Sequence, residues 1–108
     1  MNVDIRTEQR RRSHRLFTCG DLEVDADTRT VRVAGRSVPA TYVQFEILLR
    51  LIEDPGRVLS RQVLAVLPGT TNRAVDIQIS RLRRRLAPAR SFVIETVPRV
   101  GYRCRDLA

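Results

Sequence analysis

Apolar positions change their spacing twice along this chain, and the changes divide it into three stretches. From residue 16 to 39, short β-type runs at 16–19, 22–24, 30–33 and 37–39 are separated by Gly20-Asp21, Asp25-Ala26-Asp27 and Ala34-Gly35. Runs this short between turns this tight predict an antiparallel meander. The acids Asp21, Glu23, Asp25 and Asp27 read as turn and edge residues, since a calcium loop would need a glycine and a distal glutamate at fixed positions. From Thr41 the spacing becomes helical. Thr41 with Gln44 three places on forms a capping-box pattern. Phe45, Leu48, Leu49 and Ile52 then make an inner stripe that Ile47 and Leu51 widen, Glu46 and Arg50 form an exposed i,i+4 pair, and Asp54-Pro55-Gly56 stops the helix. Ser60 is an N-cap for a shorter helix through about residue 66 that buries Val63, Leu64 and Leu67. After Pro68-Gly69-Thr70-Thr71 a third helix runs over 73–86 and ends near Ala87-Pro88. The period then returns to two. Residues 92–97 and 101–104 are strand-like around Pro98-Arg99-Val100, a hairpin with a cationic tip on which Tyr102 and Cys104 face inward while Arg103 and Arg105 face solvent or phosphate.

The third helix, RAVDIQISRLRRRL, carries the strongest chemical signal. With Val75 set at 0° and about 100° per residue, Ile79, Leu82 and Leu86 fall within about 40° of it, a core-facing stripe. Arg73, Ile77, Ser80, Arg81 and Arg84 occupy the opposite side, flanked by Gln78, Arg83 and Arg85. A face built only for solubility would mix signs at four-residue spacing, yet this helix has one acid, Asp76, against five arginines. An isoleucine amid guanidinium groups suits a thymine methyl in a major groove. Two helices joined by a tight turn, the second basic, form a helix-turn-helix.

Charge is localised accordingly. Residues 1–15 carry net +3, residues 16–69 net −1 and residues 70–108 net +6, within a chain of formal charge +8. Positive charge gathered at one end of a domain is the footprint expected for a nucleic-acid partner. All twenty basic residues are arginine, so P-loop, Schiff-base and Ser-Lys chemistry is excluded. With 108 residues the chain is long enough for one domain with one modest core. Cys19 and Cys104 match no metal-ligand spacing and read as reduced, packed thiols; no metal and no cofactor are expected. No apolar run approaches the ~18 residues of a membrane span, and the N-terminus lacks a signal-peptide core, so no membrane partner and a cytoplasmic location are expected. Residues 1–15, polar and charged, read as a flexible arm or linker preceding a domain over 16–108.

Catalysis finds no support. The one histidine, His14, lies in the polar arm, no serine has a base within reach, and no paired carboxylates share a pocket. An RNA-binding module would need an aromatic platform, but Phe17, Tyr42, Phe45, Phe92 and Tyr102 are scattered and mostly expected in the core. A winged-helix protein–protein module, with the basic helix on an acidic partner, is the remaining alternative to double-stranded DNA.

The chain resembles the DNA-binding effector domain of the OmpR/PhoB family of response regulators over about residues 16–105. The resemblance is carried by the strand meander, by TYVQFEILLRLIEDPGRVLSRQVL and RAVDIQISRLRRRL for the helices, and by IETVPRVGYRC for the hairpin. It implies an α+β fold, a winged helix-turn-helix with an N-terminal four-stranded antiparallel sheet, three helices and a C-terminal β-hairpin wing. It also implies a bacterial transcription regulator of a two-component system that binds duplex DNA, the third helix in the major groove and the wing at the minor groove. Arg73, Ile77, Gln78, Ser80, Arg81 and Arg83 match the family's DNA-facing positions, Arg81 as base reader and Ile77 as apolar contact; we assign Arg73 and Arg83 to phosphates. Thr96, Pro98 and Arg99 match the wing, and Arg84 and Arg103 extend the basic surface. Head-to-tail binding on direct repeats and contact with RNA polymerase are implied as well. Three departures stand out: Pro98 precedes the tip arginine where the family often has arginine directly after Thr-Val, Ser80 replaces a frequent basic residue, and the loop between helices two and three lacks the family's Trp-Gly pair. No receiver domain is present, which fits either the effector half of a longer protein or a stand-alone regulator.

Overall fold

The computed structural model describes residues 15–107. Apart from Arg15, the arm read at residues 1–15 lies outside the described residues. The meander forms as one four-stranded antiparallel sheet, β1 (Leu16–Cys19), β2 (Leu22–Asp25), β3 (Thr30–Val33) and β4 (Arg36–Ser37), in sequential order. The last strand is shorter and earlier than expected, because it pairs only Ser37 with Arg32 and Arg36 with Val33 before the chain departs toward the first helix. Two of the acids have defined tasks. Asp25 accepts hydrogen bonds from the backbone N–H of Asp27 and Thr28, closing its own turn. Asp21 reaches much further, accepting from the backbone N–H of Arg90 at 2.8 Å and of Ser91 at 3.2 Å, which ties the meander to the segment before the wing. Those donors, Arg90 first, hold its carboxyl below the usual range. Beside it Gly20 is obligatory: a Cβ there would lie 2.1 Å from the Ser91 carbonyl oxygen.

Helix α1 (Tyr42–Ile52) begins with the expected capping box, Thr41 and Gln44 exchanging side-chain to backbone bonds of 3.2 and 3.1 Å. Six apolar residues of α1 are buried, and the helix packs on β1, β2, α3 and β7. It is therefore the centre of the core. Glu46 is less exposed than its spacing suggested, being held by Arg50 at 3.3 Å and by Arg29 at 2.9 Å.

The second helix departs from expectation. α2 spans only Arg61–Leu64, capped by Ser60, and of the three residues expected inside only Leu64 is buried; Val63 is 51% and Leu67 49% exposed. One turn can direct only one side chain inward, and at Ala65 the backbone turns extended, rotating Leu67 outward. Just before α2, Leu59 and Ser60 form a short strand β5 that the sequence pattern did not reveal. It pairs with β7 in a second sheet of order β5-β7-β6, in which the hairpin strands are β6 (Phe92–Val97) and β7 (Gly101–Asp106). Gly101 allows that pairing, since a Cβ would lie 1.9 Å from the Leu59 carbonyl oxygen. The third helix, α3 (Asn72–Arg85), is capped by Thr71 and buries Val75, Ile79 and Leu82, with Leu86 just beyond it, as its stripe predicts.

Cys19 and Cys104 are free, buried thiols. The Cys104 thiol donates to the Leu51 carbonyl at 3.2 Å, and burial pushes its pKa up to about 12. Among the described residues no helix is long and apolar enough to cross a membrane, and no group of side chains is arranged to hold a metal ion.

Candidate nucleic-acid interface

The outward side of α3 is a concentrated positive surface. Arg73, Ser80, Arg81 and Arg84 are exposed on it, with Arg85 at its edge and Ile77, 40% exposed, among them. Among the described residues the side chains of Arg73, Arg81, Arg84 and Arg99 form no ion pair or hydrogen bond. The single acid of the helix is turned elsewhere. Asp76 Oδ1 accepts from the Tyr102 hydroxyl at 2.6 Å and from Arg61 Nε at 2.7 Å, so it neutralises α2 rather than the outward face. The tyrosine hydroxyl and then Arg61 hold the Asp76 carboxyl below the usual range, while burial and the carboxylate raise the Tyr102 pKa. The same carboxylate raises the Arg61 pKa.

Other expected contact residues are held within the protein. Gln78 is half-buried and accepts from Gln44 Nε2 at 3.5 Å, linking α3 to the start of α1. Arg83 is exposed but engaged, donating from Nε and Nη2 to the Ile94 carbonyl at 3.2 and 2.8 Å and from Nη2 to Thr96 Oγ1 at 2.9 Å. Arg103 is bound to Glu95 at 2.8 Å, and the other oxygen of that carboxylate takes Arg105 at 3.1 Å.

At the wing tip Val97-Pro98-Arg99-Val100 is a turn closed by the Val100 N–H on the Val97 carbonyl at 3.0 Å. Proline at its second position and a φ of +68° at Arg99 are the signature of a type II turn, which favours glycine where this chain has arginine. The tip overhangs the start of the helix pair: Arg99 and Val100 line one open cleft with Ser60, Arg61, Gln62 and Asn72. The sequence reading missed Gln62 and Asn72 there. It missed the Asp76–Tyr102–Arg61 cluster too, although one acid in an arginine-rich helix was a usable signal.

A one-turn helix, a capped basic helix and a two-stranded wing against a four-stranded sheet define a winged helix-turn-helix. Comparison with known proteins fixes the family. Residues 35–104 match the family described as transcriptional regulatory protein, C terminal, and the chain belongs to it, in the OmpR/PhoB class. The transcriptional regulatory protein CseB of Streptomyces coelicolor is 40% identical over 95 residues, covering 83% of this chain and 39% of that protein. Response regulator DrrB, the Thermotoga maritima OmpR/PhoB homologue, superposes with a TM-score of 0.75 at 34% identity, over 83% of this chain and 44% of its own. The Klebsiella pneumoniae RstA DNA-binding domain, crystallised with the RstA box, superposes with a TM-score of 0.71 at 29% identity, over 85% of this chain and 98% of its own. The chain spans about two fifths of the length of the curated relatives it matches.

Proposed function

We propose that this chain binds double-stranded DNA in a sequence-dependent manner as part of a bacterial, cytoplasmic transcription regulator, with α3 in the major groove and the wing tip at the adjoining minor groove. The observation that carries the reading is that Arg73, Arg81 and Arg84, on one face of α3, have no side-chain partner among the described residues, while the helix's only carboxylate is satisfied behind them. Like charges held together without an internal counter-ion are relieved by a polyanion. The RstA domain, of the same fold, was crystallised on a DNA site.

Within that reading Arg81 recognises guanine through a bidentate contact, Ile77 meets a thymine methyl, and Gln78 and Ser80 complete the polar readout. Arg73 and Arg84 hold phosphates. Arg99 enters the minor groove, while Thr96, Arg83 and Arg103 border the interface. Copies bind head to tail on direct repeats about one helical turn apart. The same reading includes a contact with RNA polymerase, although the α2–α3 turn lacks the Trp-Gly pair through which the family makes it.

Selection of bound sequences from random duplex DNA, followed by a salt titration on the winner, tests the proposal. A defined motif and affinity falling steeply with salt are expected, each phosphate contact adding about 0.9 to the log–log slope. Salt-dependent binding with no selected motif would reduce the domain to a non-specific polycation.

A further inference from the structure

We infer that Arg83 is a positioning residue: it clamps the wing to α3, and its value for DNA binding comes through Arg99 at the wing tip rather than from a phosphate of its own. The inference rests on the functional reading above and replaces the phosphate contact that the sequence led us to expect of Arg83.

β6 is the outer strand of its sheet, so its outward carbonyls have no strand partner. The Arg83 guanidinium caps one of them, Ile94, with two N–H groups and extends the second of these to Thr96 Oγ1. Its plane also stands over the ring of Tyr102, 5.6 Å from the centroid. Two of the three guanidinium nitrogens are thus committed inside the protein, which leaves Nη1 alone for an outside partner. A residue chosen as a phosphate contact has no need of that geometry.

The clamp has a counterpart. Asp76, seven residues earlier on α3 and thus about 10 Å along the axis, receives the Tyr102 hydroxyl from the second strand of the same hairpin. One strap would leave the hairpin a pivot. Two straps fix its inclination along α3. The tip is where inclination matters most: Arg99 lies three residues beyond Thr96, about 10 Å of extended chain. A rotation of roughly 10° about the clamp moves Arg99 by about 2 Å, well outside the ~0.5 Å tolerance of a working contact.

Lysine discriminates between the two roles, because it keeps the charge a phosphate needs but lacks the planar fork that spans a carbonyl, a hydroxyl and an aromatic face. Affinity for the selected duplex is measured for the unchanged chain, R83K, R83A, R99A and R83A/R99A, with melting curves confirming that each is folded. R83K and R83A are expected to weaken binding alike, on the order of tenfold, with the salt slope shallower by about one in both. The double variant is expected within about twofold of the weaker single variant, since both act through one contact. An R83K that binds and responds to salt as the unchanged chain does would overturn the inference, as would losses that multiply in the double variant, or an R99A with no loss. If the unchanged chain selects no sequence, the functional reading fails first and this inference fails with it.

Discussion

Two arginine-rich elements lie side by side in this protein and keep their charges in different states. On α3, Arg73, Arg81 and Arg84 stand exposed without partners among the described residues, because the only acid of the helix faces back to Arg61 and Tyr102. On β7, Arg103 and Arg105 share the two oxygens of Glu95, so that strand presents its basic residues paired and half neutralised. Residue counts treat the two alike, yet the first has the stronger electrostatic reason to seek a polyanion. What distinguishes a recognition surface from a decorated one is where the carboxylates point.

The largest test of that contrast is Arg81→Ala. It should cost about 1–3 kcal/mol of affinity for the selected duplex and relax preference at one base position, read by comparing binding across single-base variants of the site. Uniform losses on every sequence would make Arg81 a phosphate contact instead. Next comes Asp76→Asn, which removes the carboxylate that keeps α3 electrostatically one-sided. Its half-exposed position limits the cost to about 1 kcal/mol of stability by thermal melting. The pH dependence follows from the depressed carboxyl: the unfolded state binds its proton first, so this contribution is present above the ordinary carboxylate pKa and is lost as pH falls through the lower folded value. The variant should therefore lose the Asp76 part of the acid-side decline. An identical acid profile would mean that the cluster carries no net stabilisation.

How much of this was legible in the sequence depended on how local each feature is. The stripe Val75, Ile79, Leu82 and Leu86 and the capping box at Thr41 are set by neighbours within one or two turns, and both formed as read. The inward and outward alternation of Tyr102, Arg103 and Cys104 was readable for the same reason. β5 is two residues long and exists only because Gly101 admits Leu59 from a distant segment, so no local pattern announces it. Val63 and Leu67 were placed inside because apolar spacing implied a longer α2; the turn at Ala65 decided otherwise. The exposed face of α3 could be drawn from a helical wheel, but that Arg83 is engaged while its neighbours are not depends on Ile94 and Thr96, which are supplied by a different element.

Smaller effects sharpen the wing side. Arg99 holds a left-handed backbone that costs an L-residue energy, so Arg99→Gly should melt higher than Arg99→Ala by about 0.5–1 kcal/mol while both lose preference for A·T-rich flanks. Equal melting of the two would show that the tip relaxes without its side chain. The smallest and most diagnostic change is Glu95→Gln. A partly exposed pair of this kind contributes only about 1 kcal/mol to stability, so the fold should register its loss weakly. DNA affinity should rise, and the salt slope should steepen by up to about one, because the net charge of the Arg103, Arg105 and residue 95 group would go from +1 to +2 beside the duplex. If affinity and slope stay as they were, β7 lies too far from the phosphates for its arginines to matter, and the neutralisation by Glu95 is a matter of folding alone.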